Sequence, residues 1–126
     1  MKQAFLVLFI AFGLLANAKG FKGKWKGIGD QIDGHSWDIV LNFQDENNIS
    51  INYPSLGCSG NWTLQKTATN DNIFIENITE GTDKCDQGCE VHLQKLKRKK
   101  LKVVYYLRSY DADKPIAEGT LRKQRK

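Results

Sequence analysis

The chain predicts an all-β fold: an up-and-down antiparallel meander of about eight strands, closed as a small barrel. Three observations carry this expectation. Apolar and polar residues alternate over most of residues 23–122, and β-branched and aromatic types are common there. Turn residues recur roughly every ten to twelve positions. No long segment shows helical spacing, and the connections are short. An open meander leaves two unpaired edges, which closure removes.

The first strand is expected at Gly23–Gln31, with Trp25 on one face and Lys24 and Lys26 on the other. Asp33-Gly34 marks a turn, and Ser36–Gln44 follows with a period-2 stripe of Trp37, Ile39, Leu41 and Phe43. Asn47-Asn48 turns into Ile49–Tyr53, which ends at Pro54-Ser55-Leu56-Gly57-Cys58. Asn61–Thr67 is the fourth strand, with Trp62 and Leu64 on one face, and Asn72–Thr79 is the fifth. A loop over Glu80–Gly88 carries Cys85 and leads to Cys89. Glu90–Leu96 and Leu101–Arg108 form a hairpin across Lys97-Arg98-Lys99-Lys100. A polar turn at Asp111–Pro115 precedes the last strand, Ile116–Arg122.

Ahead of these elements, Lys2, the apolar run Ala4–Leu15 and Ala16-Asn17-Ala18 have the three parts of a secretory signal peptide. The run is shorter than the roughly 20 residues a spanning helix needs. No Cys follows it for a lipid anchor. Cleavage is expected after Ala18, so that 1–18 is the signal peptide and 19–126 a single all-β domain. The protein is then exported, periplasmic or secreted, with no transmembrane segment after cleavage. An oxidising compartment lets two of Cys58, Cys85 and Cys89 pair.

Two resemblances rest on particular residues. Gly23-Lys24-Trp25 resembles the G-x-W motif of lipocalins, which implies that Trp25 closes one barrel end beneath a basic residue of the last strand, here Arg122. The stretch from about Trp25 to Arg122 resembles a family of small exported bacterial domains. Tyr53-Pro54-Ser55-Leu56-Gly57-Cys58-Ser59-Gly60-Asn61-Trp62, Phe74-Ile75-Glu76-Asn77-Ile78 and Gly81-Thr82-Asp83-Lys84-Cys85 carry that match. It implies a lipocalin-like barrel, export and a Cys58–Cys85 pair, and it assigns no activity. Cys89 departs from the family pattern. Spacing alone leaves Cys85–Cys89 open, and also a Cys3His zinc set of the three cysteines with His92.

The residues call for no cofactor, no metal and no catalytic group. No Gly-rich phosphate loop precedes a helix, and no nucleophile stands in a strained elbow. Cys89 and His92 fall on opposite faces of a strand. Glu76 lies between Phe74 and Ile78. It is a buried carboxyl if that face is inward, and exposed if Ile73 and Ile75 point in instead. With Tyr53, Trp62 and Tyr105 it forms the candidate ligand-binding set, in a core whose aromatics either line a pocket or fill it.

Charge is sorted along the chain. Gly27–His92 holds eleven acidic and two basic residues, and Leu93–Lys126 holds twelve basic and three acidic. In a closed meander, Lys24, Lys26, Lys97, Arg98, Lys99, Lys100 and Lys102 form one basic side, opposite an acidic side from strands two to five. The expected function is a non-enzymatic binding barrel that recognises a protein or an anionic envelope component. The alternatives are a carrier of a small apolar ligand and an inhibitor or immunity protein against a secreted enzyme. Nucleic acid is disfavoured, because only Tyr105 and Tyr106 stand near the positive charges.

Overall fold

The computed structural model describes residues 20–68 and 70–125. The signal peptide expected at 1–18 lies outside the described residues. Eight strands follow one another: β1 (Gly23–Gln31), β2 (Ser36–Asp45), β3 (Asn48–Tyr53), β4 (Cys58–Thr67), β5 (Asn72–Glu80), β6 (Glu90–Lys97), β7 (Lys100–Tyr106) and β8 (Ala117–Lys123). Each pairs antiparallel with the next, and β1 pairs with β8, so the meander is a closed barrel with no free edge. Among the described residues no helix is long and apolar enough to cross a membrane.

Alternation sends one residue in two to the inside. On β2, Trp37, Ile39, Leu41 and Phe43 are buried, and on β5, Phe74, Glu76 and Ile78 are buried. Antiparallel succession puts the β1–β2, β3–β4, β5–β6 and β7–β8 connections at one end, the loop end. The other end is plugged. There Trp25, fully buried, donates its indole N–H to the Phe21 carbonyl at 2.8 Å, and Phe21 packs on Phe43 with ring centroids 5.7 Å apart. Above this plug, Leu41, Phe74, Leu93, Leu101 and Leu121 are 0–1% exposed and fill the barrel.

Trp25 is buried at the plugged end, and the cation over its ring is Lys123, at 5.9 Å, and not the expected Arg122. Register explains the correction. Lys123 is paired with Trp25 and shares its inward parity with Leu121, whereas Arg122 pairs with Lys26 on the outside. β4 starts at Cys58, three residues earlier than expected, because Cys58 pairs with Tyr53 across a tight turn. Bulges at Ser59/Gly60 and Leu64/Lys66 break the β4 alternation. β7 ends at Tyr106, before Arg108.

Candidate functional site

Inward positions near the loop end surround a cavity of about 290 Å³. Trp37 of β2, Tyr53 at the end of β3, Glu76 of β5 and Tyr105 of β7 line it, with Cys89 just before β6. Gly29 makes room for the Trp37 ring, since a Cβ there would lie 2.5 Å from it. Trp37 meets Tyr53 and Tyr105 edge-on, at centroid distances of 5.2 and 5.4 Å. Asp83, Lys84 and Asp86, all exposed, stand at the mouth on the β5–β6 loop.

Three of the four candidate ligand residues, Tyr53, Glu76 and Tyr105, meet in this cavity. The fourth, Trp62, does not line it and holds Glu76 from behind. Glu76 is only 4% exposed. Its Oε2 accepts hydrogen bonds from the Tyr53 hydroxyl and, at 2.9 Å, from the Trp62 indole N–H. Tyr53 has one proton, which goes to the carboxylate, so Tyr105 donates to the Tyr53 oxygen at 2.9 Å. The other oxygen, Oε1, accepts no hydrogen bond from a described residue.

Burial raises Glu76 above its ordinary value of 4.5, opposed by the Tyr53 and Trp62 hydrogen bonds and helped by the nearby Asp86 charge. The folded chain therefore holds this proton more tightly than the unfolded chain. Its contribution to stability is complete below pH 4.5 and is lost as pH rises from 4.5 through the raised folded-state value. Urea denaturation of Glu76→Gln across that range is expected to show a smaller fall in stability with rising pH than the parent shows. Burial also pushes the Tyr53 and Tyr105 hydroxyls well above 10.

A disulfide joins Cys58 to Cys85, Cα–Cα 6.3 Å apart, and ties the β5–β6 loop at the cavity mouth to the start of β4. Such a bond is compatible with an oxidising compartment. Cys89 is free and buried, and burial together with Glu76 and Asp86 pushes its thiol up to about 12. The zinc set does not assemble, since two of its thiols are bonded to each other. His92 lies instead on the outer face of β6, between Asp71 at 3.0 Å and Glu90 at 2.7 Å. Glu90 also takes an ion pair from Arg108 at 2.6 Å, and Arg108 covers the Tyr106 ring at 4.7 Å. Sequence reasoning missed this cluster, whose signal was the like parity of Glu90 and His92 on one strand.

The basic candidates gather on the outside. Register sets Lys97 opposite Lys100, Lys100 opposite Arg122, and Arg122 opposite Lys26, a row of four cations across β6, β7, β8 and β1. Lys102 lies farther along β7, Lys24 lies near the start of β1, and Arg98 and Lys99 form the β6–β7 turn. The Lys123 N–H donates to the Lys99 carbonyl at 3.0 Å, tying that turn to the end of β8. The expected acidic side over strands two to five is corrected. Asp33, Asp38, Glu80, Asp83 and Asp86 sit at or near the loop end, Glu76 points inside, and only Asp45, Glu46 and Asp71 of that stretch lie at the plugged end, at the β2–β3 and β4–β5 connections. Even the β1–β8 seam is polarised along its length, with Asp30 opposite Glu118 and Lys26 opposite Arg122. On balance, charge is therefore divided along the barrel axis, because chain order fixes neighbouring strands while turn positions fix the ends. No protein-family model, curated protein or solved structure matches the chain.

Proposed function

We propose that this chain is an exported, non-enzymatic binding barrel that docks its basic plugged end and the β6–β7–β8–β1 side on an anionic envelope surface, through lipid headgroups. The observation that carries this is the row Lys97, Lys100, Arg122 and Lys26. Like charges set directly opposite on neighbouring strands destabilise a sheet, so the row has no stabilising role in the fold. It supports a face that meets negative charge, with the acidic loop end turned away. A carrier of an apolar ligand fits less well, because leucines and aromatics fill the barrel and the loop-end cavity is floored by a carboxyl. Non-enzymatic function fits a Cys89 thiol pushed up to about 12 and a His92 on the outer face.

Co-sedimentation with phosphatidylglycerol-containing vesicles tests this. Binding is expected at about 0.1 M salt, where the Debye length is about 10 Å, and is lost at 1 M, where it is about 3 Å. Each surface cation contributes about 1 kcal/mol near an anionic membrane, so replacing all four with Gln lowers partitioning by roughly two to three orders of magnitude. The same variant is expected to be at least as stable as its parent. Equal binding to phosphatidylcholine vesicles, or binding that survives the four substitutions, would overturn the proposal.

A further inference from the structure

We propose that the loop-end cavity binds a small organic cation, an alkylammonium group seated against Glu76 Oε1 among Trp37, Tyr53 and Tyr105. The site lies away from the docking row and does not depend on it.

The geometry is that of a prepared acceptor. Tyr53 and Trp62 hold Glu76 through Oε2, and Oε1, which is not wholly enclosed, takes no hydrogen bond from a described residue. No ion pair to Glu76 exists among those residues either. A carboxylate 4% exposed and without a counter-charge is costly, and an entering ammonium supplies the missing charge and a hydrogen-bond donor. The walls suit a cation as well. Trp37, Tyr53 and Tyr105 present aromatic surface around the carboxyl, and such rings attract cations. At the mouth Asp83 and Asp86 outnumber Lys84, which favours entry of positive charge.

Size and donor set narrow the class. A volume of about 290 Å³ lies just under the roughly 300–1,000 Å³ range of ligand pockets, so the ligand is compact. A hard metal ion takes about six or more oxygens, whereas this cavity floor offers one free carboxylate oxygen. An anion would meet Glu76 with no cation beside it.

Titration of the full mature chain with phenethylamine, followed by the NMR signals of the tryptophan indole N–H groups, decides the matter. Phenethylamine is expected to shift the Trp37 and Trp62 signals saturably. The neutral 2-phenylethanol and the anionic phenylacetate should bind at least tenfold more weakly. Glu76→Gln is expected to lower phenethylamine affinity at least tenfold while the Trp25 signal stays in place. If that variant does not fold, the pH profile of the parent decides. Affinity should fall as acid protonates Glu76. The other groups facing the site are Tyr53, Tyr105, Cys89 and Asp86, with Asp83 and Lys84 at the mouth. Burial keeps the tyrosines and the thiol protonated throughout, and Asp86→Asn, which removes a charge that helps raise Glu76, should move the profile to lower pH without abolishing it. Equal binding of the alcohol, a profile abolished by Asp86→Asn, or no saturable shift with phenethylamine would overturn the proposal.

Discussion

Trp25→Ala is expected to lower the stability of the domain by about 3–5 kcal/mol, the range for truncating a fully buried large aromatic. The indole fills the plugged end, holds the Phe21 carbonyl through its N–H and lies on the strand that pairs with β8. Its loss removes packing on Phe21 and opens the seam that closes the barrel. The Lys123 cation over the ring contributes much less, about 0.5–1 kcal/mol at an exposed site. Urea denaturation followed by far-UV circular dichroism measures the difference. A loss under about 1 kcal/mol would mean that the cavity is refilled by neighbouring side chains, and that closure does not depend on this residue.

Removing the disulfide, as Cys58→Ala with Cys85→Ala, is expected to cost about 3–4 kcal/mol on the chain-entropy estimate for a separation of 27 residues. The effect is also local. The bond pins the loop that carries Asp83, Lys84 and Asp86, so the cavity mouth loosens before the plugged end does. Denaturation with and without reductant gives the size, and hydrogen exchange over residues 81–88 gives the place. In the intact protein, Cys89 should resist thiol reagents until unfolding, because it is 4% exposed and its thiol is pushed up to about 12. Fast labelling of the folded protein would contradict its burial.

How far the sequence could be read depended on how strictly each strand alternates. β2 was legible because Trp37, Ile39, Leu41 and Phe43 share one parity without interruption. The start of β4 was not, since Ser59 and Gly60 carry no apolar signal and a bulge shifts the parity there. Glu76 was ambiguous for a physical reason. Ile73 and Ile75 form an apolar pair on the opposite face, and only Tyr53 and Trp62, donated by other strands, make the buried carboxyl tenable. The choice of Arg122 over Lys123 followed the family resemblance, although the inward parity of Leu121 points to Lys123. The axial division of charge depends on where turns fall in a closed register, which residue counts along the chain do not express.

The proposed docking by the plugged end is tested most directly by hydrogen exchange of the protein from residue 19 onward, free and bound to phosphatidylglycerol-containing vesicles. Exchange should slow on binding at residues 22–26, 97–102 and 120–125, where the row and the β6–β7 turn lie. It should stay unchanged at residues 81–88 and 107–115, which lie in the β5–β6 and β7–β8 connections at the loop end. Slowing at the loop end, with none along the row, would contradict the account.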